Sequence, residues 1–282
     1  MNCKLAILLA TYNGSIYIKE QLDSLFAQSY LDWTLFVQDD LSTDNTLDLV
    51  RAYQEQHRNI IILDNNKKLG SMNNFTTLLE KVDAKYYMFC DQDDVWLPNK
   101  IELTLCKMEE MERTNREKPI IVHTDLIVVN EKLQLITDSF WHYSRISPQI
   151  LNNFDYMGAH CLATGCTMMI NNRAKSVSLP IPNTAIMHDA WIVVKTFKEK
   201  GCVAAIQNKT ILYRQHGGNT LGAQDLQTSY IKKRLAQLPA VIHMNKRYYR
   251  MLHELNYGSV SKYLWFKLKY YFKYTILNKT KK

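Results

Sequence analysis

Along the first hundred residues, short solid apolar runs alternate with stretches of helical periodicity. Leu5-Ala-Ile-Leu-Leu-Ala10 is apolar throughout, which predicts a strand buried on both faces, followed by the loop Thr11-Tyr-Asn-Gly14. Ile18, Leu22, Leu25 and Phe26 then recur at helical spacing to about Ser29. Thr34 to Gln38 predicts a second strand running straight into Asp39-Asp40, and Ser42-Thr-Asp-Asn-Thr46 offers N-cap chemistry to a helix carrying Leu47, Val50 and Tyr53. Asn59 to Asp64 predicts a third strand, Asn73 to Lys81 a helix, and Tyr86 to Cys90 a fourth strand that ends on Asp91-Gln-Asp-Asp94. Pro98 marks the start of a helix to about Arg113. Such alternation is the mark of βαβ units and a mainly parallel sheet.

The middle is less regular. Ile120 to Val129 and Leu133 to Ile136 predict strands joined by the Asn130-Glu131 turn, and Cys166 to Ile170 predicts another. Met187-His-Asp-Ala-Trp191 opens a helix to about Lys200, with Gly201 as its stop signal. Cys202 to Ile206 and Thr210 to Tyr213 predict a last strand pair before the loop Arg214 to Asn219, and Tyr230 to Leu238, Met244 to Leu255 and Lys262 to Leu277 predict helices. Without repeats or low-complexity tracts, the expected organisation is one α/β domain over residues 1–222 and a helical basic extension over residues 223–282.

Composition adds exclusions. With 46% hydrophobic residues in 282, the chain is globular rather than disordered. No apolar window approaches the ~18 residues of a spanning helix, and none has the shape of a signal peptide. Six scattered cysteines without CxxC spacing are expected to be reduced thiols in a cytoplasmic protein. The net charge, 35 Lys+Arg against 27 Asp+Glu, is +8, but it is unevenly placed. Residues 1–228 hold 22 basic and 26 acidic residues, whereas residues 229–282 hold 13 basic residues and one acid, Glu254.

In open α/β sheets ligands bind beyond the carboxyl ends of the strands, and three of the first four predicted strand ends carry polar residues. Asp91, Asp93 and Asp94 repel one another and call for a cation; strand alternation would aim Asp91 and Asp93 to one side, a pincer for Mg²⁺ or Mn²⁺. The bland alternative is a solvated acidic turn with Asp94 near a helix N-terminus. At the other ends, Tyr12 offers an aromatic face beside Thr11 and Asn13, and Asp39 can accept from the imide N–H of uracil or thymine. Lys67, Lys68, Asn73 and Asn74 could serve a diphosphate; ordinary turn and cap chemistry is the competing reading for Thr11 and Asp39.

Ala10-Thr-Tyr-Asn-Gly14, the run Val37 to Thr46, Leu69-Gly70 with Asn73-Asn74, and the run Phe89 to Lys100 occur in an order and at intervals that resemble family 2 of the inverting nucleotide-sugar glycosyltransferases, with its GT-A fold. The block Asp91 to Pro98 is most similar to the rhamnosyltransferase-like branch that builds cell-surface polysaccharides. The likeness covers roughly residues 4–222. It implies a Rossmann-like, mixed but mainly parallel sheet flanked by helices. It also implies that Thr11, Tyr12 and Asp39 hold the nucleoside; on their chemistry and position, Asn13, Lys68, Asn73, Gln92, Asp94 and Arg214 are expected to contribute to the nucleotide-sugar site. Asp91 and Asp93 match the DxD pair at a divalent metal (Mg or Mn), and His216 a late histidine that meets metal or phosphate. Asp189 matches the catalytic base; His188 departs from the Glu that often precedes it. Gly165-Cys166-Thr167 resembles a segment on the acceptor side; the competing reading is a tight turn into a strand.

The chemistry suits these residue types. An acceptor hydroxyl needs a carboxylate to take its proton, and a departing diphosphate needs positive charge. The expected function is therefore metal-dependent, inverting transfer of a sugar from a UDP or dTDP donor to a hydroxyl of a lipid-linked glycan, at the inner face of the plasma membrane. A pyrophosphorylase would want a Gly-rich loop after the first strand, which Thr11 to Gly14 is not. A non-catalytic nucleotide- or glycan-binding module would have no use for Asp91, Asp93 and Asp189 together.

In the tail, Leu264, Trp265, Leu268, Tyr271, Phe272, Thr275 and Ile276 share one helix face, and Lys262, Lys269 and Lys273 are expected opposite them. That pattern fits an interfacial helix on an anionic membrane surface. The alternative is packing on the domain or on a homodimer partner. No nucleic-acid-binding module is recognisable.

Overall fold

The computed structural model describes residues 3–217 and 238–279. The chain runs β1 (Cys3–Thr11), α1 (Ile18–Phe26), β2 (Thr34–Asp39), α2 (Thr46–Gln56), β3 (Ile60–Leu63), α3 (Ser71–Lys81) and β4 (Ala84–Asp91). It continues through β5 (Val95–Trp96), α4 (Lys100–Thr114), β6 (Ile120–Asn130), β7 (Leu135–Thr137), α5 (Phe140–Tyr143), β8 (Met168–Asn171), α6 (Asn172–Ser178), α7 (His188–Lys198) and β9 (Cys202–Gln215). The helices α8 (Leu238–Glu254) and α9 (Val260–Lys279) follow. The expected boundary at residue 222, the expected helix over 230–237 and the basic cluster Lys232 to Arg234 lie outside the described residues.

The strands form one sheet in the order β3-β2-β1-β4-β8-β6-β9-β5, with β7 beside β6. β1, β2, β3 and β4 are mutually parallel, whereas β8 runs antiparallel between β4 and β6. The result is the mixed, mainly parallel sheet flanked by helices that the sequence predicts. Alternation along β1 divides the core: Leu5, Ile7 and Leu9 pack with residues of α1, α2 and α4, while Ala6 and Leu8 pack with α3, α6 and α7.

Three expectations change. The predicted pair Cys202 to Ile206 and Thr210 to Tyr213 is a single strand, β9, because two register shifts against β6 absorb the polar triplet Gln207-Asn208-Lys209 as a bulge rather than a turn. The predicted strand start at Cys166 is a 3₁₀ turn over Gly165–Thr167, closed by Thr167 N–H donating to Thr164 O at 2.9 Å; β8 begins only at Met168. Ahead of α4, Val95–Trp96 pairs with Leu212 and Ile211 of β9, a long-range contact invisible to local periodicity.

The C-terminal helices dock on the sheet domain. Met251, Leu252, Leu255, Tyr257, Tyr263 and Tyr270 are buried in the same core cluster as α3 and α7. Tyr270 donates its hydroxyl to Arg145 O at 2.6 Å and accepts from Ser147 N–H at 2.9 Å, and Lys262 pairs with Asp155 at 2.6 Å. The docked face of α9 thus consists of Tyr263, Phe266, Tyr270, Tyr274 and Leu277, and the residues of the predicted apolar face are all exposed. Contrary to expectation, the lysines do not oppose that face; the tyrosines do. At about 100° per residue, Lys262, Lys269 and Lys273 fall in one seam between the two apolar faces. Among the described residues no helix is long and apolar enough to cross a membrane.

Candidate active site

The register of the parallel strands brings the three polar ends into one row: Thr11 of β1 lies beside Asp39 of β2, and Ala10 of β1 beside Asp91 of β4. Asp39 is 7% exposed, accepting at Oδ1 from Thr11 Oγ1 (2.7 Å) and Ser42 Oγ (2.6 Å), and at Oδ2 from Ser42 N–H (2.7 Å). A carboxylate has about four lone-pair sites. Three hydrogen bonds therefore fix its orientation and leave capacity for one more donor, such as an imide N–H.

Beside it, the Tyr12 ring is 39% exposed and its backbone is clamped by Gln92, which accepts from Tyr12 N–H and donates to Tyr12 O, both at 2.8 Å. Gln92 thus shapes the loop that carries Tyr12. The clamp also explains Gly14, where a Cβ would lie 2.3 Å from the Gln92 amide. Asn13 adopts a left-handed φ of 46° and accepts at Oδ1 from Thr43 N–H at 2.8 Å, joining the first loop to the second. Lys68 donates to Tyr12 Oη at 2.6 Å with its ammonium 3.9 Å from the ring centroid, bringing a cation to this half-open ring. The loop that carries Lys68 is held by Asp40, which accepts from Leu69 N–H (2.6 Å) and Gly70 N–H (2.8 Å). Only the adjacency Asp39-Asp40 hinted at this role: of two neighbouring carboxylates, one serves the loop. Asn73 donates to Leu69 O at 3.0 Å and is exposed, whereas Asn74 is buried and donates to Gln38 O at 3.0 Å.

At the end of β4 the carboxylates diverge. Asp93 Oδ2 lies 2.7 Å from His216 Nε2, whose ring packs on Tyr17 with centroids 4.8 Å apart. Asp94 is fully buried and accepts from Arg214 N–H at 3.1 Å. Arg214 is 2% exposed, and its guanidinium donates to Asp93 O (2.8 Å), Glu131 O (2.6 Å) and Glu20. Asp94 and Arg214, expected at the donor, here engage the turn itself. Both are buried and tie the Asp91–Asp94 turn to the end of β9, which sets the position of Asp93 and His216.

The electrostatics suit a cation. Burial, then the charges of Asp93 and Asp189, push the Asp91 carboxyl up to about 7. Asp91, Asp94 and Cys166 place ligand atoms within 4.8 Å of one another, but burial and neighbouring carboxylates drive the Cys166 thiol upward, and a protonated thiol is a poor ligand for a hard ion. The half-buried oxygen and nitrogen donors at this turn are Asp93 and His216, which lie against each other, with the Asp91 carboxylate at the end of β4 two residues before Asp93. As they stand, Asp93 and His216 satisfy each other.

Asp189 sits in the first turn of α7, half-buried. Its Oδ2 accepts from Gly165 N–H at 2.8 Å and its Oδ1 from Ala190 N–H at 2.6 Å. His188, the departure from the family pattern, is a core residue: it is 2% exposed and packs on Phe75 and Phe89, at centroid distances of 4.4 and 4.8 Å. Burial lowers its pKa, so it stays neutral. It also accounts for Gly165, where a Cβ would stand 2.9 Å from His188 Nε2.

This sheet order, with loops at its carboxyl edge carrying these groups, defines the GT-A class of α/β fold. The glycosyl transferase family 2 model matches residues 6–173, and the chain belongs to that family. It is 31% identical over 234 residues to the dTDP-rhamnosyl transferase RfbG of Shigella flexneri, covering 76% of this chain and 74% of that one. It is 26% identical to the UDP-Glc:alpha-D-GlcNAc-diphosphoundecaprenol beta-1,3-glucosyltransferase WfaP of Escherichia coli, covering 76% and 78%. Among solved structures, S. aureus TarS 1-349 in complex with UDP-GlcNAc superposes with a TM-score of 0.57 at 17% identity, covering 77% of this chain. This chain spans 60% of that TarS chain. The mannosyltransferase PcManGT from Pyrobaculum calidifontis, in complex with GDP-Man and Mn2+, superposes with a TM-score of 0.55 at 16% identity, covering 96% and 73%. The protein is a glycosyltransferase.

Proposed function

We propose that this glycosyltransferase moves a sugar, with inversion and with a divalent cation, from a UDP- or dTDP-sugar to a hydroxyl of a lipid-linked glycan in surface-polysaccharide biosynthesis. The observation that carries the reading is the row at the carboxyl edge of the sheet: a nearly saturated Asp39 with one acceptor site left, Asp91 at the end of β4 with the Asp93–His216 pair after it, and the half-buried Asp189. Asp39 and Tyr12 hold a pyrimidine base, with Lys68 supplying positive charge at that end. A cation held by Asp91, Asp93 and His216 would supply charge stabilisation for the leaving diphosphate. Asp189 takes the acceptor hydroxyl's proton as that oxygen bonds to the anomeric carbon and the bond to the diphosphate breaks. One displacement inverts the centre, and Asp189 is left protonated until solvent removes the proton.

The relatives named for dTDP-rhamnose and UDP-glucose transfer support a pyrimidine donor and, through WfaP, a diphosphate-lipid acceptor. A thermal-shift series with UDP, dTDP and GDP, each with and without Mn²⁺, tests the donor side. The protein should be stabilised by a uridine or thymidine diphosphate, more so with Mn²⁺. Stabilisation by GDP alone would contradict the role given to Asp39, and a response indifferent to Mn²⁺ would contradict the metal site.

A further inference from the structure

From the exposed face of α9 we infer that it docks on an anionic lipid bilayer, an interaction independent of the donor and the reaction assigned above. The helix is apolar on two opposite faces. One is consumed by the domain, through Tyr263, Phe266, Tyr270, Tyr274 and Leu277. The other carries Leu264, Trp265, Leu268, Tyr271, Phe272 and Ile276, each 39–67% exposed. From Leu264 to Ile276 that stripe runs about 18 Å along the helix. A helix apolar all round is ordinarily buried all round, and contiguous exposed patches of this kind mark interaction sites.

Charge selects the occupant. Lys262, Lys269 and Lys273 occupy the seam at the edge of the stripe and lean over the docked rings: Lys273 stands 5.0 Å from the Tyr156 centroid and Lys269 5.5 Å from that of Phe266. Their stems therefore lie along apolar surface while their ammonium groups remain at the margin, as at a headgroup boundary. On the neighbouring helix α8, Lys246, Arg247 and Arg250 are exposed. From residue 229 onward the chain has 13 basic residues and one acid. A second copy of the chain laid stripe to stripe would bring these cations against their own kind, whereas anionic headgroups complement them. An open, shallow depression lined by Ile150, Lys273, Ile276 and Leu277 adjoins the stripe.

The stripe and the docked face are separable, and this makes a clean test. The full chain is sedimented with phosphatidylcholine vesicles and with vesicles containing phosphatidylglycerol, at low and high salt. It should partition at least ~10-fold more strongly onto the anionic vesicles, and the difference should shrink as salt screens the charges. Leu268→Glu/Phe272→Glu should abolish sedimentation while thermal stability and UDP binding are retained, because neither residue touches the core or the donor site. A charge variant, Lys269→Gln/Lys273→Gln, should lose the anionic preference. Equal sedimentation of the wild type and Leu268→Glu/Phe272→Glu overturns the inference. So does a wild-type dimer that ignores vesicles and is split by the same substitutions, which would assign the stripe to a second copy. Loss of nucleotide binding is read separately, so failure of the membrane surface and failure of the transferase reading are distinguishable.

Discussion

Asp39 shows how little of a site residue's meaning lies in its identity. Its usefulness comes from Thr11 and Ser42, which take three of its acceptor sites and aim the remaining one. Asp39→Ala removes a directed, charge-assisted acceptor worth about 1.5–3 kcal/mol. UDP affinity measured by titration calorimetry with Mn²⁺ should therefore fall roughly 10- to 100-fold; unchanged affinity would remove Asp39 from the base pocket. The same scale shows where sequence stops. Asp91, Gln92, Asp93 and Asp94 are consecutive, and chemistry alone made each a ligand candidate. A turn sends their side chains in different directions, Gln92 to the Tyr12 backbone, Asp93 to His216, and Asp94 into the core. Arg214 was legible as a cation near the site, but not as one already bound by two carbonyls and Glu20.

At the level of elements, the parallel half of the sheet was legible because its strands are solid apolar runs and its helices keep one periodicity. Local pattern failed where a pairing partner is distant in sequence. Val95–Trp96 becomes strand only through β9, and the polar triplet in β9 stays in register only because β6 accommodates a bulge. The loop after β1 gives a direct test of element-level coupling. In Gly14→Ala the new methyl would meet the Gln92 amide, which must leave Tyr12 or displace the loop. The substitution should cost about 1–3 kcal/mol in urea unfolding and weaken nucleotide binding. Gln92→Gly in the same chain should add little further loss, because the clamp on Tyr12 is already broken; fully additive losses would show that the two positions do not couple.

For the molecule as a whole, net charge conceals a division between a mildly acidic stretch, residues 1–228, and a strongly basic one, residues 229–282. Acid sensitivity is also a property of the whole fold. Burial pushes His123 down to about 3 and lowers His188 and His160 as well. Below its ordinary value of 6.5, the unfolded chain binds a proton at His123 that the folded chain refuses, so stability is lost as pH falls from 6.5 toward 3. One such histidine costs about 1.4 kcal/mol at pH ~5.5. Urea unfolding at pH ~7.5 and ~5.5 should show a smaller pH decrement for His123→Leu than for the wild type by about that amount; equal decrements would show that His123 titrates normally in the fold.

The most direct test of the proposed chemistry is proton-decoupled anomeric NMR of the product formed from the stabilising pyrimidine sugar, run in parallel with wild type and Asp189→Asn. The wild type should invert the anomeric centre, and Asp189→Asn, which keeps the shape and loses the base, should lower turnover at least ~10²-fold while binding the donor nearly as well. Retention of configuration, or wild-type turnover by Asp189→Asn, would contradict a single displacement driven from the N-terminus of α7.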